Sequence, residues 1–173
     1  MTGIARISSG APWEPIFGYA RAVKADGWLA VSGTTSFDEN GLIVGRNQMY
    51  VQARQAIANI ATALERAGMS LADVVRTRVF VTDMERFAEV ARAHLETFGD
   101  NPPASTMVEI RRLVNADMMI EIEADAYRDP AKAAVTAKSS VAAKSKAAAK
   151  HKDIAVAKRG ARKAVKKTPR RRP

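Results

Sequence analysis

Polar and apolar residues are sorted along the chain in two distinct periods. Tyr19 to Ala25 and Trp28 to Thr34 are short apolar-rich runs separated by Asp26-Gly27, a two-residue hairpin signal, and predict the first two strands. A looser turn at Glu39-Asn40-Gly41 leads to a predicted short third strand at Leu42 to Val44. From Asn47 the period lengthens. Ala53, Ala56, Ile57, Ile60, Ala61 and Leu64 recur at three and four residues, the stripe of an amphipathic helix, with Asn47 expected to cap it and Gly68 to end it.

Val74 to Thr82 returns to period two, setting Val75, Thr77, Val79 and Val81 against Val74, Arg76, Arg78 and Phe80. Thr82 and Glu85 fit a capping box that opens a second helix. Its predicted stripe is Met84, Phe87, Ala88, Ala91, Leu95 and Phe98, and its predicted end is Gly99. Beyond Pro102-Pro103, Ser105 to Ile110 and Met118 to Tyr127 predict two more strands. In the second, Ile120, Ile122, Ala124 and Ala126 alternate with Glu121, Glu123 and Asp125. The order βββαβαββ predicts an α+β fold with two helices on one face of a mixed sheet.

The other sheet face then carries Glu121, Glu123 and Asp125, with Arg76 and Arg78 beside them. Carboxylates at period two repel one another unless counter-charges or water separate them, so cross-strand ion pairs are expected. The same face is expected to hold Phe80, Met107 and Met119. Their burial calls for sheet-to-sheet packing in a symmetric oligomer.

Charge divides the chain in two. The net charge is +10 over 173 residues, yet residues 1–128 hold 13 Lys and Arg against 16 Asp and Glu, while residues 129–173 hold 15 against 2. The basicity therefore belongs to a Lys/Ala-rich tail that begins at Asp129-Pro130 and is too poor in large apolar residues to order itself. Its Lys158, Arg159, Arg162, Lys163, Lys166, Lys167, Arg170, Arg171 and Arg172 predict charge-driven contact with DNA or RNA phosphates. The absence of cysteine excludes disulfides and thiolate chemistry, and the two histidines, His94 and His151, argue against a His-based metal site. Without an apolar run of signal-peptide or membrane-span length, a soluble, cytoplasmic protein is expected.

The segments "GYARAV", "WLAVSGTT", "QARQAIANI", "LADVVRTRVFVTDM", "PPASTMVEI" and "MIEIEADAY" resemble the RidA (YjgF/YER) family from about Ile16 to Arg128. The resemblance implies a chorismate-mutase-like fold, a homotrimer whose sheets form a central barrel, and clefts between subunits. It also implies hydrolysis of reactive enamines and imines to ketones or 2-ketoacids and ammonia, with no metal and no cofactor.

The family's site positions map unevenly. Tyr19, Ser32, Gly33 and Glu121 match, with Glu121 as the water-ordering catalytic acid. Ser105 stands where the family carries a carboxylate-binding arginine, Met107 where it carries a cysteine, and Ala91 where it carries an asparagine. A guanidinium grips a carboxylate through two parallel hydrogen bonds, which a serine cannot reproduce. Arg21, Arg111 and Arg112 are the available substitutes. His94 is read as structural, and Ser32 and Ser105 have no base visible nearby in sequence. Two functions stand side by side: an imine hydrolase of altered substrate preference acting through Tyr19, Ser32, Gly33, Ser105, Met107 and Glu121, or a small-ligand-binding or nucleic-acid-associated protein without catalysis.

Overall fold

The computed structural model describes residues 3–131. The tail residues proposed to meet nucleic acid lie outside them. Six strands, β1 (Ile4–Ile7), β2 (Ala22–Ala25), β3 (Trp28–Thr34), β4 (Val74–Val81), β5 (Ala104–Glu109) and β6 (Ile120–Tyr127), form one sheet in the order β1-β2-β3-β6-β4-β5. All neighbours are antiparallel except β4 and β5, which run parallel. A short helix α1 (Trp13–Phe17) precedes β2, and the two long helices are α2 (Met49–Arg66) and α3 (Phe87–Phe98).

The α+β class is the one expected, and the strand-helix order is reached with one exchange and one added short helix, α1. Leu42 to Val44 is not a strand. It closes a loop through a single bridge, Phe37 to Ile43, with Asp38 Oδ1 accepting from the Asn40 and Leu42 amides. The missing strand is supplied by β1 at the sheet edge, where all but Ile7 of its residues are exposed, so no alternation marks it in the sequence.

The helix boundaries also move. Asn47 is in the left-handed region at φ 56° and does not cap α2, which follows Gln48. Gly68, at φ 73°, accepts the left-handed turn after α2 as expected. The predicted Thr82 capping box is absent. Asp83 Oδ1 accepts from the Glu85 amide and opens a 3-10 turn, Met84–Arg86, that feeds α3.

The core lies between α2, α3 and the inner sheet face. Ala53, Ala56, Ile57, Ile60 and Leu64 of α2 meet Val79, Val81, Ile120, Ile122, Ala124 and Ala126, all buried. In β4 the periodicity breaks once: a register shift between Val74 and Arg76 against β6 buries Val74 and exposes Val75. Helix α3 keeps only part of its predicted stripe, since Phe98 is buried and Met84 packs on the core as expected. It buries Val90, Ala93 and Phe98, leaving Phe87 and Leu95 55% and 70% exposed.

Gln52, fully buried in the first turns of α2, fastens the loop before β6. Its Nε2 donates to the carbonyls of Gly45 and Asp117, and its Oε1 accepts from the Met119 amide at 2.8 Å. At the far end of β6, Arg128 closes onto Asp73 and donates to the Gly68 carbonyl. Burial opposes ionisation of Asp73, but hydrogen bonds from Arg128 and Ser70 outweigh it and hold the carboxyl below its ordinary value. A depressed carboxyl stabilises the fold above its unfolded pKa and loses that contribution as pH falls through the folded one. Asp73→Asn is therefore expected to cost about 1–2 kcal/mol at neutral pH, discounted for the partly exposed Arg128, and to flatten the acid limb of a stability-versus-pH curve measured by urea unfolding.

Candidate functional site

The candidate residues fall into two groups on opposite faces of the sheet. On the outer face, β3 departs from its register with β6 between Val31 and Thr34, and this bulge carries Ser32 and Gly33. The carboxylate of Glu121 occupies the space over Gly33: a Cβ at position 33 would lie 1.8 Å from Glu121 Oε1 and 2.8 Å from its Cδ. A side chain at position 33 would therefore displace the Glu121 carboxylate from this place.

Arg21 fixes the same corner. Its guanidinium donates through both terminal nitrogens to the Gly33 carbonyl at 3.0 Å and through one of them to Thr34 Oγ1 at 2.9 Å. It also lies 5.4 Å from the centroid of the Tyr19 ring. Burial raises the Glu121 pKa, the neighbouring Glu123 charge raises it further, and Arg21 only partly offsets them, so the carboxyl sits above its ordinary value. A half-buried carboxylate of raised pKa is a better proton acceptor than a solvated one. Ser32 is less available, because its hydroxyl donates to the Ala20 carbonyl.

The rest of the outer face shows the expected charge ladder. Arg78 pairs with Glu123 and Asp125 at 3.3 Å each, and Arg76 reaches Asp125 at 4.0 Å. Phe80 stands beside Glu121 in the β4-β6 register. Met107 and Met119 do not join it. The parallel register places Met107 beside Val79, turning it to the helix face, and both methionines pack against the core. Large apolar residues on the outer face include Phe80, Val108, Trp28 and Tyr127, the last two with ring centroids 6.0 Å apart.

The second group lies on the helix face of β5, at the sheet edge. Ser105 and Met107 border a cavity of about 360 Å³ whose other walls include Phe87, Ala91, His94 and Leu95 of α3. Ser105 is joined there to two residues that sequence reasoning did not connect with it. The buried Thr77 Oγ1 donates to Ser105 Oγ at 2.9 Å and lies 3.0 Å from His94 Nε2. Burial holds the His94 imidazole below its ordinary pKa. The three residues come from β4, α3 and β5, so no local spacing reveals the chain.

Sequence and structural likenesses agree with this architecture. A family model described as Endoribonuclease L-PSP matches residues 9–128. The chain belongs to the RidA/YjgF family. Among its relatives in the family is a RutC family protein of Pyrococcus horikoshii, 38% identical over 116 residues that make up 67% of this chain and 91% of that protein. The crystal structure of Rv2704, a YjgF/YER057c/UK114 family member from Mycobacterium tuberculosis, is 40% identical with a TM-score of 0.66, covering 73% of this chain and all of that one. The YjgF gene product of E. coli is 32% identical with a TM-score of 0.60, covering 72% and 93%.

Against the RidA pattern stated above, all three departures of this chain, Ser105, Met107 and Ala91, line one cavity beside α3. Of the matching positions, Ser32, Gly33 and Glu121 gather at the β3 bulge toward the other sheet face, with Tyr19 beside Arg21. Arg21, a possible substitute for the missing arginine, is committed to the Gly33 carbonyl, and Arg111 and Arg112 are exposed. Among the described residues no cluster of three or more His, Cys, Asp or Glu side chains is arranged to hold a metal ion, and no helix is long and apolar enough to cross a membrane.

Proposed function

We propose that this RidA-family protein hydrolyses reactive enamines or imines to carbonyl compounds and ammonia, at clefts where the outer face of one subunit meets the α3-β5 edge of another in a homotrimer. The observation that carries the reading is the Glu121 carboxylate seated over Gly33. There it accepts a proton from water as the water oxygen bonds to the C=N carbon. The C=N electron pair moves onto nitrogen, which takes up that proton to give a carbinolamine. The carbinolamine hydroxyl proton then passes through Glu121 to nitrogen as the C=O bond forms and the C–N bond breaks, releasing ammonia. The exposed Trp28, Tyr127 and Val108 support sheet-to-sheet association, as does the separation of the two half-sites, which a single chain cannot bring together.

Substrate preference differs from that of members bearing the arginine. A charge-assisted hydrogen bond contributes roughly 1.5–3 kcal/mol, so its loss at Ser105 weakens binding of small iminocarboxylates by about 10- to 150-fold. Hydrolysis of 2-iminopropanoate, formed in the cuvette by oxidation of alanine, is expected to be slow for the natural protein and at least about tenfold faster for Ser105→Arg. Light scattering is expected to give three times the chain mass. A monomer at micromolar concentration, or no acceleration of any imine's hydrolysis by either protein, overturns the proposal.

A further inference from the structure

The cavity between α3 and β5 indicates what the site accepts, an inference that rests on the imine-hydrolase reading. Its volume of about 360 Å³ falls within the range of small-molecule sites, roughly 300–1,000 Å³. Phe87, Leu95, Phe98 and Met107 give it broad apolar walls, and no Lys, Arg, Asp or Glu lines it. Its polar side chains are Ser105 and His94, tied together through the buried Thr77.

One proton order along this chain of groups leaves Ser105 free to donate into the cavity. Thr77 has one hydroxyl proton, and it is given to Ser105. In that order the 3.0 Å contact between Thr77 Oγ1 and His94 Nε2 is made by a His94 proton on Nε2, and the other tautomer reverses it. Each donor polarises the next, and the Ser105 hydroxyl is left at the end with its own proton to give. The low pKa of His94 keeps the ring neutral at neutral pH. The cavity thus offers one strengthened hydrogen-bond donor among apolar walls and no positive charge. A carboxylate gains no counter-charge from this side of the cleft to offset the water it sheds, whereas a carbonyl oxygen or imine nitrogen needs only the donor.

We propose that the α3-β5 cavity is the substrate-selecting half of the site, taking neutral ketones and ketimines that bear an apolar group in preference to 2-oxo- and 2-iminocarboxylates, with Ser105 donating to the carbonyl oxygen or imine nitrogen. Ser105 sets specificity, and Thr77 and His94 position it.

Phenylacetone and phenylpyruvate test this, since they share a benzyl ketone and differ by a methyl group against a carboxylate. Titrated into full-length protein with labelled histidine, phenylacetone is expected to bind at least tenfold more tightly and to shift the His94 ring resonances. Ser105→Arg is expected to reverse the order. Thr77→Val, close in shape but without the relay, is expected to weaken phenylacetone several-fold while leaving phenylpyruvate unchanged. Equal or tighter binding of phenylpyruvate by the natural protein, binding without a His94 response, or no binding of phenylacetone at millimolar concentration overturns the inference. The hydrolase reading fails separately: selective binding of phenylacetone with no imine turnover removes the catalysis and keeps the selectivity, and turnover with a preference for carboxylates does the reverse.

Discussion

Glu121→Gln is expected to abolish imine hydrolysis and, at the same time, to stabilise the fold at neutral pH. The glutamine keeps the shape over Gly33 but cannot accept a proton from water, and loss of a general base typically lowers a rate by about 10²- to 10⁴-fold. The stability change follows from the direction of the carboxyl's shift. Burial, then Glu123, raise the folded pKa above the unfolded one despite Arg21. The folded state therefore binds the proton more readily, and stability falls as pH rises from the unfolded pKa through the folded one. Above that window the natural protein carries an unfavourable buried charge that the amide lacks. Thermal midpoints between about pH 4 and pH 8 should converge for the two proteins at the acid end and separate, with the variant higher, toward neutrality. A variant that loses activity and stability together would assign Glu121 to the architecture of the outer face instead of the chemistry.

Gln52→Leu is expected to be the most damaging single substitution in the interior relative to the volume it changes. The leucine fills nearly the same space but removes both the donor to the Asp117 carbonyl and the acceptor for the Met119 amide. The Gly45 carbonyl keeps the Gln48 amide as a partner, so two backbone groups are orphaned. Leaving a buried polar group unpaired costs about 1–3 kcal/mol, and two give roughly 3 kcal/mol or more. The corresponding drop in thermal midpoint is roughly 10 °C at fixed protein concentration. Gln55→Leu, on the same helix, loses only a bond to Asn59 and should change stability by less than about 1 kcal/mol. Equal effects from the two would show that leucine's bulk, and not the orphaned groups, sets the cost.

Strands with one face sealed were legible because burial imposes period two: Ile120, Ile122, Ala124 and Ala126 are all buried, and β4 keeps the period from Thr77 onward. Edges were not. Strand β1 is exposed along most of its length and has no pattern to read, while Leu42 to Val44 has an apolar composition but leaves Leu42 64% exposed on a loop. Helix α3 carries two apolar stripes, one through Val90, Ala93 and Phe98 and another through Phe87, Ala91 and Leu95. Spacing alone cannot say which faces the sheet. That ambiguity hid the cavity, and with it the role of His94. The resemblance named Gly33 and Glu121 together, and the fold sets the one side chain over the other. The link from His94 through Thr77 to Ser105 joins residues 17 and 28 positions apart, and only tertiary packing creates it.

Glu121 and Ser105 stand on opposite faces of one sheet, which has a genetic consequence under the trimeric reading. A lesion in either residue damages only the clefts to which that face contributes. Two inactive alleles, one defective at 121 and one at 105, would therefore restore partial function when expressed together, because some clefts in a mixed assembly inherit an intact face from each. Two alleles both defective at 121 would not. The phenotype of a substitution would then depend on its companion allele, and a cross between the two classes of mutant would report the geometry of the cleft without a structure of the assembly.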